Sequence, residues 1–120
     1  KTNREIIKFG PPYPEFKNYV FTRTKKNAPY ENIVLVSDDI PEFVKSLKHK
    51  NGKNIWLFGG SEIIQPLIEE NLVDEMMLAI HPLLLGGGLP LFKNLTDRKQ
   101  FQLSDSITYP SGLVQLIYKT

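Results

Sequence analysis

The sequence predicts a mixed α/β domain with a mostly parallel sheet, helices on both of its faces and a C-terminal antiparallel hairpin. Three observations carry this. Apolar runs without helical period alternate with segments that repeat apolar residues at helical spacing. Glycine and proline punctuate the boundaries between them. The chain closes on two β-rich runs separated by the turn-forming TYPSG. Helices between apolar strands need crossover connections, which give right-handed βαβ units and parallel pairing, whereas a terminal hairpin adds antiparallel strands.

Each element is justified in order along the chain. Lys1 to Phe9 places Ile6, Ile7 and Phe9 at helical spacing, and Gly10 with Pro11, Pro12 and Pro14 is a strong stop. Asn18 to Arg23 (NYVFTR) and Asn32 to Ser37 (NIVLVS) read as buried strands, with Thr24 to Glu31 an exposed loop between them. Asp39 and Glu42 form a capping-box-like start with Pro41 tolerated in the first turn. Ile40, Phe43, Val44 and Leu47 then recur on one helical face, and Asn51 with Gly52 closes the helix. Asn54 to Phe58 (NIWLF) is a third buried strand with Trp56 and Phe58 in the core, ended by Gly59 and Gly60. Ser61 can cap a helix in which Ile63 with Leu67, Ile64 with Ile68, and Ile68 with Leu72 are i, i+4 pairs. Pro66 removes one backbone donor there and predicts a kink or irregular first turns. Asp74 to Ile80 opens a strand that becomes irregular through HPLLLGGGLPLF, where Gly86, Gly87 and Gly88 suit a β-bulge. Phe101 to Ile107 and Leu113 to Tyr118 form the hairpin.

The 120 residues, 41% of them apolar and 23% charged, fit one domain with one core, residues 1–120. A net charge of +2 without a basic stripe argues against general nucleic-acid binding. The absence of cysteine excludes disulfides, thiol catalysis and cysteine zinc sites. With only His49 and His81, far apart in sequence, a histidine metal site is not expected. No apolar run reaches the length of a bilayer span and no signal peptide opens the chain, so a cytoplasmic protein without membrane partners is expected. The chain opens without Met and mid-helix, so a preceding N-terminal part is expected as well.

In an open parallel sheet, ligands bind beyond the carboxyl ends of the strands. Those ends supply Thr22, Arg23 and Thr24, then Ser37, then Gly59 and Gly60 leading into the Ser61 helix. A glycine pair between strand and helix lets backbone approach a diphosphate while N–H groups and the helix dipole point at it. Hydroxyls and a guanidinium at the first strand end suit a further phosphate, such as that on the adenosine ribose of NADP. Plainer readings stand beside these. The glycine pair can be a tight turn, Arg23 with Lys25 and Lys26 a solvated loop, and Ser37, Asp38 and Asp39 a strand-to-helix turn. Neither G-x-G-x-x-G nor a G-x-x-x-x-G-K-[ST] loop is present. His81 reads as a packing or hydrogen-bonding histidine, His49 as solvated, and Asp74 with Glu75 as a turn rather than an acid–base pair. No nucleophile, oriented base and oxyanion hole assemble.

NYVFTRT (18 to 24), NIWLFGGSEIIQPLIEENLVDEMMLAIHPLLLGGGLPLF (54 to 92) and SGLVQLIY (111 to 118) together resemble the dihydrofolate reductase-like superfamily. Within it the resemblance is to the C-terminal reductase domain of riboflavin biosynthesis and its stand-alone relatives. It implies a dihydrofolate reductase-like three-layer fold, NADPH lying across the strand ends, a small-molecule substrate, and a homodimer. It also implies that the first strand and an early substrate loop precede Lys1. Carried over by position, Thr2 matches the end of a helix start that contacts the diphosphate. Thr22, Arg23 and Thr24 match the stretch near the adenosine phosphate, and Ser37 the edge of the adenine site. Gly59, Gly60, Ser61, Glu62 and Ile63 match the turn and helix start beneath the diphosphate. The implied activity is hydride transfer to a pyrimidine- or pterin-like molecule; a non-catalytic nucleotide-binding or dimerisation module is the rival.

Overall fold

A computed structural model describes residues 15–58 and 60–120, and the chain divides after Asp39 into two units. The expected helix over 1–9, its stop, Thr2 and Gly59 lie outside the described residues.

In the first unit, β1 (Asn18–Phe21) and β2 (Ile33–Val36) pair in parallel, in register from Asn18↔Ile33 to Phe21↔Val36. The ladder is extended at both ends by Asn18 N–H donating to Asn32 O (2.8 Å) and Thr22 N–H to Val36 O (2.9 Å). Both strands are β-branched and aromatic, as a pleated, half-buried surface favours. Ile33 and Val36 are the buried members, 8% and 4% exposed. Asn18 and Asn32 side-chain amides both donate to Phe16 O, at 3.0 and 3.3 Å, and so hold the two strand starts together. No helix intervenes between these strands, so the crossover that parallel pairing requires is made by irregular residues 22–32.

The second unit begins with α1 (Ile40–Lys48), directly after Asp39 and with Pro41 in its first turn, as expected. It stops a little before Asn51, the last backbone bonds running from His49 N–H to Lys45 O and from Lys50 N–H to Leu47 O. The next helix, α2 (Ser61–Glu69), buries Leu67 and Ile68 to 4% exposure each. It runs through Pro66 as one helix. Its C-terminal end is a Schellman motif: Asn71 takes φ 55°, Asn71 N–H donates to Ile68 O (3.0 Å) and Leu72 N–H to Leu67 O (2.8 Å). Two lysines tie α1 to this end. Lys45 Nζ reaches Glu42 (3.1 Å) and Glu70 (3.2 Å), and Lys48 Nζ reaches Asp74 (2.6 Å) and Leu72 O (3.1 Å).

Three antiparallel strands follow: β3 (Glu75–Ile80), β4 (Gln102–Thr108) and β5 (Val114–Lys119), in the order β3-β5-β4. The hairpin matches the expectation from sequence to within a residue at each end. A β-bulge between Leu103 and Asp105 shifts its register, and Ser106 N–H donates to Asp105 Oδ1 (2.8 Å). The TYPSG turn closes through Gly112 N–H to Tyr109 O (2.9 Å) and Tyr109 N–H to Leu113 O (3.0 Å). Gly112 sits at φ +88°, and a Cβ there would stand 3.1 Å from Pro82 Cγ. Gly112→Ala is therefore expected to lower stability by about 1–2 kcal/mol, seen as a lower urea midpoint. An unchanged midpoint would show that the turn relaxes freely.

Several sequence expectations are corrected. Asn54–Phe58 joins neither sheet, and Ile55, Trp56 and Phe58 are 52%, 63% and 73% exposed rather than core. An apolar run becomes a buried strand only where flanking strands complete its ladder. Here the Trp56 and Phe58 rings meet edge to face at 5.7 Å. Without that strand, the described pairing is one parallel pair and an antiparallel triplet instead of a mostly parallel sheet. The glycines after β3 form no bulge: Gly86 (φ +72°) and Gly88 (φ +145°) turn an exposed loop outside any strand. His81 is exposed at the start of that loop, its carbonyl accepting Leu83 N–H (2.8 Å). No helix among the described residues is long and apolar enough to cross a membrane.

Candidate functional site

The parallel pairing of β1 and β2 sets their carboxyl ends side by side, so Thr22 follows the Phe21↔Val36 pair and Ser37 stands at the same edge. Thr22 is half-buried, whereas Arg23, Thr24 and Ser37 are exposed. The Thr22 hydroxyl accepts from Thr24 N–H (3.4 Å) and Lys25 N–H (3.2 Å), which folds residues 22–25 into a turn. Its oxygen is spent on shaping the turn that carries Arg23 and Thr24 outward, and only its O–H proton is left to donate. Arg23, Lys25 and Lys26 are all exposed in this segment, a cationic edge that a phosphate can reach without desolvating a buried charge.

The second group lies at the start of α2. Gly60, not Ser61, is the N-cap residue, at φ −85° and ψ −173° and without a side-chain cap; Ser61 is the first helical residue. The expected Ser61 cap fails because Gly60 already holds the extended cap conformation, its carbonyl accepting Ile63 N–H (3.1 Å) and Ile64 N–H (3.2 Å). Among the described residues, nothing stands within 4 Å of a Cβ built on Gly60, so none of them fills the space in front of the turn. Ile63 is half-buried along the helix. The geometry brings together Gly60, Ser61, Glu62 and Ile63 in this unit, and Thr22, Arg23, Thr24 and Ser37 in the other.

Glu62 introduces a feature the sequence did not reveal. Its carboxylate lies 2.7 Å from Lys93 Nζ, a residue 31 positions away, and that hydrogen bond with its charge holds the carboxyl below its ordinary pKa. No local spacing could have signalled the partner. Lys93 opens a segment laid along the polar stripe Glu62, Gln65 and Glu69 of α2. Gln65 Nε2 donates to Asn94 O (2.9 Å), Thr96 donates from Oγ1 and N–H to Glu69 (2.7 Å each), and Lys99 Nζ donates to Glu69 O (3.0 Å).

The Thr96 hydroxyl and backbone N–H lower the pKa of Glu69. A depressed carboxylate pKa contributes stability above the ordinary range that is lost as pH falls through the folded value. The urea midpoint should therefore fall as pH drops through about 4 and below, and Thr96→Val should flatten that fall. Identical slopes for both proteins would show that the Thr96 hydroxyl contact to Glu69 contributes nothing to acid sensitivity.

Other candidates resolve into structure. Asp74 and Glu75 are ion-paired separately, with Lys48 and Lys119, rather than with each other. Among the described residues no His, Asp and Glu cluster is placed to hold a metal ion. A cleft of about 320 Å³ between Ile68, Val73, Lys99 and Phe101 lies toward the C-terminal end of α2, away from Gly60.

Residues 15–115 match the RibD C-terminal domain family. The chain is 42% identical over 102 residues to the uncharacterized protein YyaP of Bacillus subtilis (strain 168), covering 85% of this chain and 54% of that protein. It is 32% identical over 107 residues to the uncharacterized protein YwjB of the same organism, covering 89% of this chain and 61% of that one. It thus spans a little over half the length of these relatives. Among solved structures, one from Shewanella sp. PV-4 called "Putative riboflavin biosynthesis protein" aligns with a TM-score of 0.78 at 29% identity, over 97% of this chain and 67% of that one. A pyrimidine reductase-like protein of Corynebacterium diphtheriae shares the fold, with a TM-score of 0.57 at 18% identity over 84% of this chain and 48% of its own. The match across residues 15–115, joined by the two Bacillus relatives, places this chain in the RibD C-terminal domain family.

Proposed function

We propose that the protein is an NADPH-dependent reductase acting on a small pyrimidine- or pterin-like molecule. In this reading it is a cytoplasmic homodimer built on a dihydrofolate reductase-like three-layer fold. The observation that carries the reading is the family match over 15–115, which contains every described residue assigned to the cofactor. The likeness to a structure named for riboflavin biosynthesis supports the same reaction class.

The bound cofactor would supply the hydride, and the protein would supply position and electrostatics. Arg23 and Thr24, carried on the turn shaped by Thr22, would take the adenosine phosphate through charge-assisted hydrogen bonds. Ser37 would border the adenine. Gly60 offers a cap without a side chain, so backbone at the start of α2 could come close to the diphosphate, with Ser61, Glu62 and Ile63 forming the first turn behind it. The resemblance assigns Thr2 and Gly59 to the diphosphate as well; both lie outside the described residues.

A nucleotide-binding module without turnover is the second reading, in which the same residues would hold the nucleotide. Calorimetric titration of the intact protein with NADPH and with NADH tests the cofactor assignment shared by both readings. Tighter binding of NADPH is expected, and equal affinities would remove the adenosine phosphate from the Thr22–Thr24 turn.

A further inference from the structure

Glu62 places a full negative charge in the first turn of α2, where the proposed diphosphate would approach. A carboxylate there competes with an anionic ligand for the positive end of the helix. Its charge is countered by Lys93, whose ammonium lies 2.7 Å from Glu62 Oε1. The lysine side chain is 31% exposed and that of Glu62 84%, so the cation comes from the less solvated side of the pair.

The placement of Lys93 is not that of a loose surface lysine. The segment that carries it is fastened to α2 at successive points: Asn94 O by Gln65, Thr96 by Glu69, and Lys99 by Glu69 O and Asn71 Oδ1. Glu62, Gln65 and Glu69 stand at i, i+3 and i+7, one stripe of the helix, so the segment follows the helix and delivers Lys93 to its first turn. Such anchoring reduces the side-chain freedom that makes most exposed ion pairs ineffective.

We propose that Lys93 is a positioning residue for anion binding: by neutralising Glu62 it lets the open Gly60 turn at the start of α2 accept a nucleotide diphosphate. The proposal rests on the reading of that turn as the diphosphate site, and deepens it with a residue outside the glycine-pair motif. Lys93 acts through Glu62 and not as a direct phosphate ligand.

The three roles open to the pair differ in the sign of their mutational effects. Charge compensation requires Lys93→Ala to weaken cofactor binding by about two- to fivefold, and Glu62→Gln to strengthen it by a similar factor. The double variant should return to the affinity of the natural protein. A purely structural brace requires both single variants to weaken binding, with the double variant no better. A direct lysine ligand requires the double variant to remain as weak as Lys93→Ala.

The experiment is calorimetric titration of the intact protein and these three variants with NADPH and with NADH, at low and at high salt, alongside thermal melting. Thr96→Val serves as a fourth variant that loosens the segment without touching the charge at Glu62. The expected result is the order Glu62→Gln, natural protein and double variant together, then Lys93→Ala, the same for both nucleotides because the diphosphate is common to them. The spread should shrink at high salt. If the natural protein binds both nucleotides but the variants rank otherwise, this proposal is overturned while the cofactor reading stands. If the natural protein binds neither nucleotide, the cofactor reading falls and takes the proposal with it.

Discussion

Arg23→Ala should narrow the preference for NADPH over NADH by about 1–3 kcal/mol, the range for a hydrogen bond to a charged group. The side chain is exposed and lies in the turn set by the Thr22 hydroxyl, so its removal leaves no buried group without a partner and should leave melting unchanged. The loss should fall on NADPH alone, since NADH lacks the phosphate that the guanidinium would hold. Arg23→Lys should recover only part of it, because an ammonium keeps the charge but not the planar fork. Calorimetry with both cofactors on each variant is the check. An equal loss for both would place Arg23 at the diphosphate, and no loss would make this segment the solvated loop its composition also allows.

Gly60→Val should weaken both cofactors at least about tenfold, or about 1.4 kcal/mol, while the fold persists. Gly60 has φ −85°, which any residue adopts, and a Cβ there would meet no atom of the described residues within 4 Å. The substitution is thus tolerated by the chain and intrudes only on what comes to the turn from outside. Valine is a poorer N-cap than glycine, so a small loss of stability accompanies it. Gly60→Ala should give an intermediate affinity, and melting curves separate the two effects. Unchanged affinity in Gly60→Val would reduce the glycine pair to a tight turn.

What the sequence made legible follows from how local each signal is. The terminal hairpin, β1, β2, β3, α1 and α2 were readable because period, β-branched content and turn residues act within a few positions. The run NIWLF carried the same local signal as NIVLVS. Yet β2 pairs with β1, whereas 54–58 joins neither sheet, because a ladder depends on neighbours that periodicity does not specify. An exposed loop between β1 and β2 was legible and is observed, whereas no local signal specified that the two strands pair with each other in parallel. The N-cap was misplaced by one residue because glycine and serine both suit that position. Of the candidate residues, Thr22 with Arg23 and Gly60 with Ser61 stood in contiguous motifs, but Lys93 did not. It reaches Glu62 only through the fastening of a distant segment onto α2.

The central claim is that hydride leaves a bound nicotinamide for a small heterocycle. The most direct measurement is transfer of deuterium from NADPH labelled at nicotinamide C4, with the intact protein and a series of ribosylamino-pyrimidines and pterins, read by mass spectrometry of the products. The account predicts deuterium in a reduced product, dependent on the protein and diminished in Gly60→Val. Stoichiometric NADPH binding with no label transferred to any member of the series would contradict it, and would identify the chain as a nucleotide-binding module.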